Sequence, residues 1–390
     1  MAVPLSSWIE VSDERLVGNF HVIAEAAGAD TEVLAVVKAN AYGHGAEVCS
    51  VTLARAGAKW LGVADSAEGA GVRNALVAAG FAPGGEWSPR ILLMCGFLPE
   101  DVAAIVEHTL TPVVWTMEQV NWLRGSGIAV HVEIDTGMGR QGVRSGAPLD
   151  PLLHAIRAAG IELDGVLTHF CAAEVAHSRL TQAQQHRFEA AVAQVQATGL
   201  APKWIHAGSS SSVDNPAGDE KWLAELAKTL GARAMVRCGI ALYGYCLPIF
   251  GADATAGPII RPTLRPVMTW KARIMDVREV AAGETVGYNA TFTAPGPMRV
   301  ALLPVGYSDG LRRELSSANA IPGGWVMVRG RRAPIVGRIS MNLTTVNVTG
   351  IDGVKSGDEA TLLGDGVTAA DHARLARTIS YEILCGVRAG

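Results

Sequence analysis

Between residues 33 and 244 the chain repeats one alternation eight times: a short run of Val, Ile and Leu, then a segment with helical spacing. The runs are VLAVVK (33–38), WLGVA (60–64), ILLMCG (91–96), LTPVVWT (110–116), AVHVEID (129–135), LDGVLTHF (163–170), WIHAGSS (204–210) and MVRCGIALYG (235–244). A strand that is apolar along its length is buried on both faces, which parallel sheets with covering helices require. The intervening AEVCSVTLARAGA and TQAQQHRFEAAVAQVQATG read as amphipathic helices closing at Gly. Eight such units predict an α/β fold with an N-terminal (β/α)8 TIM-type barrel; a doubly wound open sheet is the alternative. Polar residues favour the barrel. Lys38, Arg140, His169, Ser209 with Ser210, and Arg237 fall at or just past the ends of runs one, five, six, seven and eight. That is the face where such barrels carry chemistry.

After residue 245 Pro, Gly and Thr become frequent and the runs alternate, as in MTWKARIMDV, MRVALLPVGY, GWVMVRG and TTVNVTG. This predicts a mainly antiparallel C-terminal β domain over 246–390, with residues 1–10 able to add a strand, and a barrel domain over 11–245. A net charge of −4 leaves no basic footprint for nucleic acid. No apolar run reaches the ~20 residues that cross a bilayer. MAVPLSSWIEVSD lacks the regions of an export signal, and none of the six cysteines forms a C-x-x-C pair. The expected setting is therefore the cytoplasm, with scattered core thiols and no metal site.

The first run ends in a lysine. Five apolar residues precede Lys38, which predicts a buried stem and a head at the barrel mouth. Partial desolvation favours the neutral amine, which can attack an aldehyde, and pyridoxal phosphate is the common aldehyde for such a lysine. A phosphate cradle should lie nearby. GSSSS (208–212) after run seven and RCGI (237–240) in run eight offer hydroxyls and backbone N–H groups.

The motifs VVKANAYGHG, DTGMGRQG, LTHF, VRCGIALYG, VGYNATFT, PVGYSDG, GRISMN and ISYE, in this order, resemble alanine racemase of the fold type III pyridoxal-phosphate enzymes. The resemblance implies a racemase interconverting L- and D-alanine, a shared-site homodimer, and D-alanine supply for peptidoglycan. It implies Lys38 and Tyr288 as the two catalytic bases, Tyr288 coming from the partner chain. It aligns Tyr42, Ser210, Gly239, Ile240 and Tyr381 with phosphate contacts, Arg237 with the residue facing the pyridine nitrogen, and His169 with Arg237 as the network that stabilises a Tyr288 phenolate. Arg140 and Met341 align with carboxylate contacts, and Tyr307 with an entrance residue.

Four positions depart from the family pattern. Glu133 stands where a lysine is common and is expected to hold Arg140 in a charge-assisted pair. Asn342 replaces an acid, Ser209 an Asn, and Phe292 a Tyr. These leave serine or broad-specificity racemisation as the alternative. A decarboxylase on the same barrel, a non-enzymatic pyridoxal-phosphate-binding protein and a cofactor-free barrel enzyme fit fewer motifs.

Overall fold

The computed structural model describes residues 6–218, 220–251 and 257–388. Residues 1–5, 219, 252–256 and 389–390 of the expected domains lie outside the described residues. The chain divides into two compact units, one gathering the chain up to Ser12, Tyr42–His44 and Pro266 onward, the other Asp13–Ala41 and Gly45–Arg265.

The first strand, β1 (Ser7–Val11), belongs to the former unit. The next eight close a parallel barrel: β2 (Thr31–Val36), β3 (Trp60–Val63), β4 (Arg90–Leu93), β5 (Leu110–Val114), β6 (Val130–Glu133), β7 (Leu163–Leu167), β8 (Trp204–Ser209) and β9 (Arg233–Cys238). β2 closes the ring on β9, with Leu34 opposite Arg237. All eight apolar runs are strands, and nearly every ladder residue is buried. Several strands stop before their runs do. Lys38, Met94–Gly96, Asp135 and Thr168–Phe170 leave the ladder and form the C-terminal mouth. The eighth run changes form: β9 ends at Cys238, and Ile240–Tyr243 is a 3-10 turn. Tyr243 Oη donates to the Val36 carbonyl at 3.1 Å, tying that turn to β2.

Residues beyond 245 stay with the barrel unit as far as Arg265. The reason is Asp214, whose Oδ1 accepts from the N–H groups of Ile260 and Arg261 while Oδ2 meets the Arg261 guanidinium at 2.7 Å.

The other unit is built on β10 (Met268–Arg273), β11 (Asp276–Val280), β12 (Thr285–Val286), β13 (Phe292–Thr293), β14 (Met298–Leu303), β15 (Trp325–Val328), β16 (Arg331–Pro334), β17 (Thr344–Asn347) and β18 (Glu359–Leu363). They form antiparallel sheets in the orders β1-β10-β18-β15-β16 and β11-β14-β17, plus the β12–β13 hairpin. Ser7 lies opposite Ala272 and Val11 opposite Met268. Among the described residues no helix is long and apolar enough to cross a membrane, and no cluster of metal-ligating side chains occurs.

Candidate active site

Lys38 follows β2 at the mouth and is half-buried, its stem shielded by a strand that is almost wholly in the core. The chain then makes a left-handed turn: Ala39, Asn40, Ala41 and Tyr42 all have φ between 52° and 54°. Each non-glycine residue so placed costs about 1–2 kcal/mol. Hydrogen bonds over-determine the turn. Ala41 N–H donates to Val37 O at 2.8 Å, Gly45 N–H to Asn40 O at 3.0 Å, and Asn40 Oδ1 accepts from Ala46 N–H at 2.9 Å. Strain held this way occurs where geometry matters to function.

Arg237 is buried near the end of β9. Its Nη2 donates to Thr168 O at 2.6 Å and to His169 Nδ1 at 3.1 Å, and its Nη1 to His206 Nδ1 at 3.3 Å. Burial brings this guanidinium down to about 10, so it keeps its proton at neutral pH. Burial first, then the charges of Arg237, Arg140 and Lys38, hold His169 at about 3. His169 is therefore neutral. Because Nδ1 accepts from Arg237, its proton sits on Nε2, which is left as a donor.

Across the same mouth β8 runs directly into the short helix Ser210–Asp214. Ser210 Oγ accepts from the N–H groups of Gly239 and Ala241 at 3.1 and 3.2 Å, joining the two loops. Its hydroxyl proton remains available to a ligand, as does the leading N–H of the turn that Ile240 begins. Gly208 has φ 76°, and a Cβ there would press on Ser212 at 3.3 Å. Serine hydroxyl and backbone N–H donors just past β8 and β9, on the mouth that also carries the amine after β2, fit an aldehyde that carries a phosphate.

Glu133, the last residue of β6, is buried, and its Oε2 accepts from Gln141 Nε2 at 2.5 Å. The Gln141 amide also reaches Met94 O at 2.9 Å. The expected pair with Arg140 is not formed. Arg140 lies exposed in the following loop, and no ion pair joins the two among the described residues. Burial raises the Glu133 carboxyl, opposed by the Gln141 bond and then by Arg237 and Arg140. Asp135 shapes this loop, its Oδ1 accepting from the N–H groups of Gly137 and Gly139, both at 3.0 Å.

In the other unit, the rings of Tyr42 and Tyr381 stand 5.8 Å apart. Tyr288 is 64% exposed at the tip of the β12–β13 hairpin, in a turn where Asn289 and Ala290 have positive φ. Two glycines seat this tip. A Cβ on Gly287 would lie 2.9 Å from Arg338 N, and one on Gly337 2.5 Å from Val286 O. Phe292 pairs with Val286 across the hairpin and packs against the apolar cluster that includes Val286, Met298 and Val336, where a hydroxyl is not needed. Tyr307 and Met341 are exposed on neighbouring loops. Ser308 couples them: its N–H and Oγ donate to Met341 O, and Oγ accepts from Asn342 Nδ2 at 2.7 Å. Gly306 permits the approach, since a Cβ there would collide with the carbonyls of Ser340 and Met341.

The barrel mouth therefore collects Lys38, His169, Ser210, Arg237, Gly239 and Ile240, while Tyr42 with Tyr381, and Tyr307 with Met341 and Asn342, form two groups in the other unit. Sequence reasoning missed Gln141, His131, His206 and Asp164. The available signal was parity: His131 and Glu133 lie two apart on one strand and share a face.

Residues 11–247 match the family described as alanine racemase, N-terminal domain, and residues 267–390 the alanine racemase C-terminal domain. An alanine racemase from Syntrophobacter fumaroxidans is 34% identical over 98% of this chain and 95% of that protein. The structure of alanine racemase from Streptomyces coelicolor A3(2) superposes with a TM-score of 0.83 at 32% identity, covering 98% of this chain and 96% of that one. That of alanine racemase from Bartonella henselae with covalently bound pyridoxal phosphate gives 0.78 at 26% identity, covering 98% of each.

Proposed function

The chain belongs to the alanine racemase family, and on that premise we propose that it interconverts L- and D-alanine with pyridoxal phosphate, using Lys38 and Tyr288 as two opposed bases in a homodimer. The observation that carries the reading is the group set at the barrel mouth: half-buried Lys38, together with a Ser210 whose Oγ joins the Gly239–Ala241 loop and whose hydroxyl proton stays available. Bound pyridoxal phosphate supplies an aldehyde that condenses with amines and a ring that withdraws electron density from the substrate Cα.

Racemisation takes the Cα proton from one face and returns one to the other, so two bases on opposite faces suffice. Lys38 Nζ serves one face. Tyr288 Oη serves the other, from a second copy of the chain. A phenol is a weak base at neutral pH, and the Nε2–H of neutral His169 is the donor that would stabilise its phenolate. Arg237 holds its proton; as the residue that would face the ring nitrogen, it would donate without transferring that proton, which would restrain transamination. The Ser210 hydroxyl and the Ile240 N–H would hold the phosphate, with Gly239 allowing close backbone approach, and Tyr42 and Tyr381 are the further phosphate contacts that the family resemblance assigns. Arg140 and Met341 orient the substrate carboxylate, and Tyr307 narrows the entrance. The neutral Asn342, tied to Ser308, keeps serine as a second substrate to test.

Purified protein supplied with pyridoxal phosphate should show a visible absorption band and racemise L-alanine faster than serine, lysine or arginine. A colourless protein that leaves optically pure alanine unchanged would refute the reading. Faster turnover of serine would reassign the substrate.

A further inference from the structure

A line of hydrogen bonds runs through the barrel interior from its N-terminal end to Arg237. Arg90 Nη1 meets Asp164 Oδ2 at 2.8 Å, Asp164 Oδ2 meets His131 Nε2 at 3.0 Å, His131 Nδ1 meets His206 Nε2 at 2.8 Å, and His206 Nδ1 meets Arg237 Nη1 at 3.3 Å. Both imidazoles have no solvent exposure, and the Asp164 side chain has 1%.

Elementary donor and acceptor chemistry gives this line a direction. A guanidinium only donates, a carboxylate only accepts, and a neutral imidazole has one nitrogen of each kind. Arg237 donates to His206 Nδ1, so the proton of His206 sits on Nε2. That N–H donates to His131 Nδ1, so His131 is also protonated on Nε2, and it donates to Asp164. Burial drives both histidines below their ordinary value, which keeps them neutral. Burial alone would raise Asp164, but His131 and Arg90 outweigh it and keep the carboxylate charged. The backbone is cut to fit: a Cβ on Gly165 would lie 2.5 Å from His131 Nδ1. At the outer end Arg90 is itself fixed, its guanidinium stacked 4.2 Å over the Trp60 ring.

We propose that Asp164, at the end of the barrel away from the mouth, is a positioning residue for Arg237: through His131 and His206 it sets which nitrogen of each imidazole carries the proton, so that Arg237 always finds an acceptor in the core. With Thr168 O and His169 Nδ1 also engaged, this leaves one Nη1–H and the Nε–H of Arg237 uncommitted. Removing the carboxylate strands the His131 Nε2–H in the core. The cheapest relief moves that proton to Nδ1, where it opposes the His206 Nε2–H. His206 then switches in turn, and its Nδ1–H opposes the guanidinium, which has to turn. The inference rests on the reading that Arg237 faces the cofactor ring.

The test compares Asp164→Ala, Asp164→Asn and, as a cavity on the same strand outside the line, Leu163→Ala. In the cofactor-free protein, 15N shifts of labelled histidine should report Nε2–H tautomers for His131 and His206. Asp164→Ala should switch both to Nδ1–H, while Asp164→Asn, which keeps an acceptor, and Leu163→Ala should not. In the holoenzyme Asp164→Ala should lower kcat for alanine roughly 10-fold or more with KM within about 3-fold, and move the visible band. Either histidine found charged or Nδ1-protonated in the unsubstituted protein at neutral pH overturns the proposal, even if Asp164→Ala does not fold. So does a tautomer switch that leaves kcat and the band unchanged. A protein that takes up no pyridoxal phosphate would defeat the functional reading, and the tautomers would then judge the line alone.

Discussion

Replacing Ala39 with glycine should make the barrel more stable while making the enzyme slower. Ala39 sits at φ 53°, ψ 50°, with its methyl group exposed. An L-residue there costs about 1–2 kcal/mol relative to glycine. The opposing term is the extra freedom of glycine in the unfolded chain, about 0.4–1 kcal/mol. No packing term enters, because an exposed methyl leaves no cavity. The net gain is about 0.5–1 kcal/mol, or a rise of roughly 1–3 °C in Tm for a barrel of this size. Ala39→Val should do the reverse, since a β-branched residue resists this conformation more strongly than alanine. Calorimetry of the cofactor-free protein is the assay, because a bound ligand would add its own stabilisation. The same glycine variant should lose a few-fold in kcat as the turn that aims Lys38 slackens. A Tm lowered by Ala39→Gly, or left unchanged by Ala39→Val, would refute the claim that strain is stored here.

Three further outcomes follow from the site. Lys38→Ala and Tyr288→Phe proteins should each be nearly inactive, and mixing them under subunit exchange should restore roughly a quarter of full activity, since half the dimers then carry one complete site; absence of rescue would count against a shared site. Ser210→Ala strips the acceptor from two buried N–H groups, costing about 1–3 kcal/mol of stability, and should also weaken retention of pyridoxal phosphate on dialysis. Stability should decline on acidification. His169 is held at about 3 against an ordinary 6.5, so the unfolded chain binds the proton first. Its contribution is complete above about 6.5 and is lost by up to ~1.4 kcal/mol per pH unit as pH falls toward 3. Unfolding curves at pH 5 and 7.5 should show this, and His169→Gln should flatten it.

The barrel was legible because burial on both faces leaves a mark that needs no tertiary knowledge: eight runs of Val, Ile and Leu at regular spacing. The resemblance carried the site residues; of these, Ser210 and Gly239 are hydrogen-bonded to each other, and Arg237 to His169. Glu133 shows where such reasoning stops. Charge complementarity favoured Arg140, seven positions away, but Arg140 stays exposed and the loop delivers the neutral amide of Gln141 to the carboxylate instead. Periodicity cannot resolve which of two adjacent side chains a loop folds inward. His131 and His206 were passed over for a related reason. Each is a polar residue inside a largely apolar strand, and only barrel closure shows that the two imidazoles meet.

The pairing of β1 with β10 also bears on how the polypeptide comes off the ribosome. Ser7 Oγ accepts from the Trp270 indole 263 positions later, so β1 must wait for most of the following chain before it finds its place. The barrel can close during that interval. The later sheet cannot, because β10 has not yet been made, and meanwhile β1 is an unpaired strand open to strands from other nascent molecules. Clipping the first dozen residues transfers that exposure to the edge of β10, and should show up first as insoluble product at high expression.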